Sequence, residues 1–232
     1  MRYIYCHPLF DERKCAHRFS YEIAKIFEKN NLQLERFDYR GTGEAEGAFC
    51  DVTMDSLRGD LKRIINGGRV CLIGTRFGAA LVYDYCRTEN ACVETAVLIE
   101  PVVNGKSYTD YLFRKQYLKD MMTGNSGCLL PQNGFCNLEG YKAGSKFIEQ
   151  IREVSLTETA DSIKIGKAVH IVQISASSRV NTEYSLFSER LKKSGINASI
   201  EIFNLPAFWE RIPDGDYSIV TEKIAEWCRW TG

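Results

Sequence analysis

The sequence predicts an α/β protein: a mostly parallel sheet of about six strands with helices on both faces. Short apolar runs alternate with amphipathic helical segments from end to end, the pattern of parallel strands joined by helical crossovers. The 232 residues, 44% hydrophobic and 26% charged, suit one globular core rather than a disordered chain or two independent domains. The expectation is a single domain over residues 1–232.

The strands fall at residues 2–6, 32–37, 69–74, 95–100, 168–174 and 198–203, each a short apolar run bounded by polar or turn residues. Between the first two, Phe19, Ile23, Ile26 and Phe27 recur at i, i+4, i+7 and i+8, giving a helix one apolar face. Leu57, Leu61, Ile64 and Ile65 repeat the spacing, and Gly67-Gly68 stops that helix. Tyr184, Phe187 and Leu191 mark a third helix with Gly195 just past its end, and Val220, Ile224 and Trp227 mark the last. These stripes are core faces. Residues 104–164 break the rhythm, with aromatic helical turns (Tyr108, Tyr111, Leu112, Tyr117, Leu118, Met121) and a Gly/Asn-rich interruption at 124–134, but no clear strand. A connection that long is read as an inserted helical cap over the C-terminal edge of the sheet.

Composition excludes several function classes. Thirty basic and thirty acidic residues give zero net charge, so no long-range field recruits nucleic acid or an acidic membrane, although a small anion can still be held locally. No apolar run approaches the roughly 18 to 20 residues of a membrane span, and Met1 leads almost at once into Tyr3-Ile4-Tyr5 without a basic leader region. The expected location is the cytoplasm. Nine cysteines, odd in number, scattered and without a CxxC pair, point to reduced packed thiols rather than a disulfide framework or a zinc site. Neither a metal nor a cofactor is implied.

The third strand runs directly into Thr75-Arg76-Phe77-Gly78-Ala79-Ala80-Leu81. Gly74-x-Arg76-x-Gly78 has the spacing of a G-x-S-x-G nucleophile elbow, in which glycines flank a strained residue between strand and helix because neighbouring backbone passes too close for side chains. The frame is kept, with arginine where the serine belongs.

Further segments carry a resemblance. His7-Pro8-Leu9-Phe10-Asp11-Glu12 follows the first strand, Phe37-Asp38-Tyr39-Arg40-Gly41-Thr42-Gly43-Glu44-Ala45-Glu46-Gly47 the second, and Glu100-Pro101-Val102-Val103-Asn104-Gly105 the fourth, with Glu139-Gly140-Tyr141 in the cap. With the elbow, these make nearly the whole chain similar to the α/β-hydrolase superfamily in its serine-aminopeptidase-like branch, and within it to the hydrolase-like proteins associated with exosortase systems. The first strand would correspond to the third of the full fold, without the usual N-terminal antiparallel pair. The resemblance implies an elbow serine, an acid after strand 168–174 and a histidine after strand 198–203. Those places hold Arg76, Ser175-Ala176-Ser177-Ser178 and Asn204-Leu205-Pro206-Ala207-Phe208-Trp209, and no histidine follows His170. Proteins of the most similar branch likewise carry a G-x-R-x-G elbow.

A guanidinium is neither a nucleophile nor an accessible base, so acyl-enzyme chemistry from residue 76 is excluded and no catalytic residue is assigned. A cation at a helix N-terminus also faces the positive end of the helix dipole and calls for an anion. Two sources are open: an internal carboxylate from Glu12, Asp11 or Glu100, or a ligand carboxylate or phosphate held by Arg76 with backbone N–H groups of Phe77 and of the Leu9-Phe10 loop. Phe208 and Trp209 would wall such a site with aromatic surface. The expected ligand-binding set is therefore Arg76, Phe77, Leu9, Phe10, Glu12, Phe208 and Trp209.

Lesser candidates have bland readings. Cys15 and His17, placed in the loop before the first helix, are two residues apart, which is no established spacing for a thiol and base pair. His7 and His170 read as structural, Ser175, Ser177 and Ser178 as turn residues, and Asp38, Arg40 and Glu46 as a turn network. The leading expectation is a non-catalytic hydrolase-like protein binding a small anionic or acyl ligand in a capped cleft, or a protein partner or second copy of itself. The alternative is a hydrolase or acyl-transfer enzyme acting on an ester or thioester with unconventional residues.

Overall fold

The computed structural model describes residues 1–89, 92–124, 134–211 and 215–229; the stretch 125–133 of the predicted interruption, with Cys128, lies outside them. Six strands form one all-parallel sheet: β1 (Arg2–Cys6), β2 (Leu34–Arg36), β3 (Val70–Thr75), β4 (Val93–Ile99), β7 (Ala168–Ile174) and β8 (Asn197–Phe203), in the order β2-β1-β3-β4-β7-β8. β1, β3 and β4 are buried along nearly their whole length, which explains why they read as continuous apolar runs rather than alternating ones. β2 is shorter than the run 32–37 because the Leu32 N–H bonds back to the Phe27 carbonyl and belongs to the preceding turn. β4 ends at Ile99 because Glu100 turns the chain at φ 46°.

The chain divides into two compact units, the first made of Met1–Phe37, Arg63–Val103 and Leu156–Gly232. It contains the sheet. On one face, alternate residues Tyr3, Tyr5, Cys71, Ile73, Val97, Ile99, Val172 and Ile174 pack with Phe19, Ile23 and Phe27 of α2 (His17–Lys29) and Val220, Ile224 and Cys228 of α8 (Ser218–Arg229). α4 (Phe77–Thr88) and α7 (Thr182–Lys193) contribute no residue to that cluster; α4 packs along β1, β3 and β4, and α7 along β8. The sheet therefore has helices on both faces. α1 (Phe10–Cys15) corrects the placement of Cys15 and His17 in a loop: Cys15 closes α1 and His17 opens α2. Six residues, four of them charged, show no periodicity by which a sequence reading could find such a helix.

The second unit joins Asp38–Lys62 to Asn104–Ser155. α3 (Met54–Ile65) starts within it, and α5 (Gly105–Thr123) packs on α6 (Ser145–Arg152). Contrary to the expectation of no strand between 104 and 164, β5 (Phe135–Leu138) and β6 (Tyr141–Gly144) form an antiparallel hairpin. Its turn, Glu139-Gly140, has φ of 54° and 90°, the double positive φ of a type I′ turn. Phe49 packs against Tyr141 and Phe147 and so ties the two segments of this unit together. In the turn network Asp38 accepts the Glu44 N–H and the Glu46 carbonyl accepts the Gly41 N–H, while Arg40 pairs outside the turn, with buried Asp60 at 2.9 Å.

Candidate functional site

Because all six strands run the same way, the segments after β1, β3, β4, β7 and β8 emerge at one edge, and Arg76 sits there at the end of β3. Its φ of 54° and ψ of −120° lie outside the regions that L-residues favour, at a cost of about 1–3 kcal/mol. The turn is held by its surroundings. Arg76 N–H bonds to the Ile99 carbonyl at 2.9 Å, and the Arg76 carbonyl accepts from Ala79 N–H at 3.0 Å in the first turn of α4. A Cβ on Gly74 would stand 2.5 Å from the Gly78 carbonyl oxygen, and one on Gly78 would stand 2.3 and 2.4 Å from the Cys6 and His7 carbonyl oxygens. The two glycines are thus required by close backbone approach, the geometry the G-x-R-x-G spacing predicts.

The Arg76 side chain is folded into its own surroundings and only 15% exposed. Nε donates to Glu12 Oε1 at 3.1 Å, Nη1 donates to the Glu100 carbonyl at 3.3 Å, and the guanidinium lies 5.1 Å from the centre of the Trp209 ring. Glu12, 1% exposed in α1, is the internal carboxylate among the three that the sequence offered. Glu100 contributes its backbone instead, since its carboxylate is engaged elsewhere: Oε1 accepts from Ile174 N–H at 2.6 Å and Oε2 from the Tyr184 hydroxyl at 2.9 Å. Burial pushes the Glu100 carboxyl above its ordinary range, opposed by the Ile174 N–H, by Arg76 and by Tyr184. Tyr184 is driven well above the usual phenol range by its own burial and by Glu100 beside it.

The structure brings Arg76, Glu12 and Trp209 together. Leu9, Phe10, Phe77 and Phe208 are each at most 1% exposed, so in this conformation they are packed residues. Phe208 stacks on Phe19 with ring centres 4.0 Å apart, and the Trp209 ring meets it edge-on. Two cavities, of about 490 Å³ beside Glu94, Lys164 and Lys167 and about 560 Å³ beside Tyr21 and Arg36, are lined by none of the elbow residues. Among the described residues no group of His, Cys, Asp and Glu is arranged to hold a metal ion.

No protein-family model matches the chain, and no curated protein matches its sequence. Solved structures do. The esterase Est1E from Butyrivibrio proteoclasticus, with ferulic acid bound, superposes with a TM-score of 0.67 at 14% identity, over 99% of this chain and 88% of that one. The monoacylglycerol lipase of Paleococcus ferrophilus gives 0.67 at 15% identity, over 99% and 94%. The mouse α/β-hydrolase domain-containing protein 10 gives 0.62 at 15% identity, over 99% and 90%. This is the α/β-hydrolase fold.

In the hydrolase fold the triad follows the chain order nucleophile, acid, histidine, with the nucleophile at the elbow. Here the segment after β7 is Ser175–Ser178, whose hydroxyls cap local turns: Ser175 Oγ accepts from Ser177 N–H and Ser177 Oγ from Arg179 N–H. The segment after β8 carries Phe208 and Trp209. His170, the histidine downstream of the elbow, lies in the middle of β7, stacked on Trp227 at 4.3 Å with Nδ1 2.8 Å from Ser199 Oγ. His7 follows β1 and meets the Tyr5 ring edge-on. The hydroxyl next to the elbow, Thr75, is fully buried on the Tyr5 hydroxyl at 2.8 Å.

Proposed function

We propose that the protein is a non-catalytic member of the hydrolase fold, acting by recognition of a small ligand or a partner protein rather than by acyl transfer. One observation carries this reading: the residue at the apex of a fully formed elbow is a guanidinium already neutralised by buried Glu12. An elbow that cannot supply a nucleophile leaves at most the modest acceleration that binding and dipoles provide. The G-x-R-x-G elbow and the Arg40–Gly47 and Glu100–Gly105 segments support placing the chain beside the hydrolase-like proteins of exosortase systems. The scattered cysteines without a CxxC pair support a cytoplasmic location; among the described residues no helix is long and apolar enough to cross a membrane.

The test is active-site chemistry on the purified protein. Incubation with a fluorophosphonate probe and with p-nitrophenyl acetate and butyrate is expected to give no stoichiometric label and no turnover above that of heat-denatured protein. A label mapped to one residue, with turnover lost when that residue is replaced, would establish the enzyme reading and overturn this one.

A further inference from the structure

Two cysteines far apart in the chain meet in the core of the first unit. Cys71 lies in β3, five residues before the elbow arginine, and Cys228 lies in the last turn of α8. Both are fully buried, and their sulfurs are 3.2 Å apart. A disulfide needs sulfurs at about 2.05 Å, so closure requires a movement of little more than 1 Å. The thiols share a pocket with Tyr3, whose hydroxyl donates to the Cys228 carbonyl at 3.5 Å. Of the other buried thiols, Cys136 Sγ lies against the Ala143 carbonyl in the second unit, and Cys86 lies near Cys6 and Cys71.

We propose that Cys71 and Cys228 form an oxidative modification site, a dithiol that peroxide converts to a disulfide joining the elbow strand to the C-terminal helix. In the first step the Cys228 thiolate attacks peroxide: a sulfur–oxygen bond forms, the oxygen–oxygen bond breaks, and hydroxide leaves. In the second, the Cys71 sulfur attacks the sulfenic acid: the sulfur–sulfur bond forms, the sulfur–oxygen bond breaks, and a second hydroxide leaves. The two thiol protons turn the hydroxides into two waters, and the two sulfurs together give two electrons to one peroxide. Burial, with Cys71 beside it, holds the Cys228 thiol well above its ordinary range, so the thiolate forms when the last turn of α8 opens. The adjacent Cys71 then captures the sulfenic acid before it oxidises further. Since the link spans 157 positions of sequence, it confines the unfolded chain strongly and reinforces the fold once made.

The experiment treats the native protein with hydrogen peroxide, alkylates remaining thiols under denaturing conditions, and maps the peptides by mass spectrometry without reduction. The expected product is a linked pair of peptides containing Cys71 and Cys228, 2 Da lighter than the separate peptides together, with a Tm higher by roughly 10 °C that reducing agent reverses. Cys92→Ser, which removes an exposed thiol, should leave this unchanged, and Cys228→Ala should abolish both the link and the Tm gain. Should Cys71 and Cys228 remain alkylatable while exposed Cys92 is oxidised, or should Cys228 pair with a different cysteine, the proposal is overturned. If Cys228→Ala does not fold, the wild-type peptide map alone decides between these outcomes.

Discussion

Arg76 and Glu12 form an ion pair at the apex of the strand–turn–helix elbow. The ion pair is largely removed from water, with 15% and 1% of the side chains exposed, so losing one partner leaves an uncompensated buried charge. Arg76→Ala should destabilise the protein by about 3 kcal/mol, because Glu12 is then buried without its cation. Glu12→Gln should cost less, since Gln keeps an acceptor for Nε while removing the charge. Combining Arg76→Ala with Glu12→Gln should cost clearly less than the sum of the single changes, because neither charge is left stranded. Urea unfolding of the four proteins measures this. Additive losses would show that the pair contributes nothing as a pair and would remove the main support for an internally satisfied elbow. The sequence offers three carboxylates for Arg76; a partner 64 positions away is selected among them only by the fold, which sets α1 beside the start of α4.

At the scale of elements, the elbow is a strand, a turn and a helix forced together by two missing side chains. Gly78→Ala places a methyl 2.3 Å from one backbone carbonyl oxygen and 2.4 Å from another, and neither can move without shifting β1. A loss of about 3 kcal/mol is expected from such overpacking. Gly195→Ala is the informative comparison: at φ 80°, just past α7, a Cβ meets nothing within 4 Å, so only the left-handed backbone is penalised, by about 1 kcal/mol. Thermal melts of the two variants should separate by several degrees in that order; equal melting temperatures would mean that the close approach at the elbow relaxes freely. Both glycines could be read in the sequence, because close approach and helix termination leave the same mark wherever they occur. β7 could be read residue for residue, since a mainly apolar run, broken by His170 and Gln173, ends abruptly at a serine cluster. β5 and β6 could not: four residues each place two side chains on a face, too few for periodicity to register. Their one local signal was Glu139-Gly140, a turn pair that suits a two-residue hairpin. α1 left no trace for the same reason of length.

At the scale of the whole molecule, the two units are each assembled from separate stretches, and no composition shift marks where the chain passes between them. Aromatic contacts such as Phe49 with Phe147 decide which stretches belong together, and a contact across nearly a hundred residues is invisible to a reading along the chain. The balance of charges does survive as a global property, and it bears on the response to acid. With equal numbers of acidic and basic groups and three histidines, few sites can change charge just below neutrality. His170 is a histidine that the fold keeps from doing so. It is held between Trp227 and Ser199, with Lys223 nearby on α8, and burial together with that lysine lowers its pKa to about 4, against an ordinary value near 6.5. A histidine depressed in the fold binds its proton more readily when unfolded. The stability it contributes is therefore fully present above about pH 6.5 and is lost progressively as pH falls towards 4. Replacing it with phenylalanine keeps an aromatic ring over Trp227 and removes the titration. The melting temperature of the wild type should thus fall more steeply between pH 6.5 and 4.5 than that of His170→Phe, with the two curves running parallel above pH 7. Parallel curves through the acidic range would mean that His170 accepts its proton in place, and that the stack on Trp227 tolerates the charge.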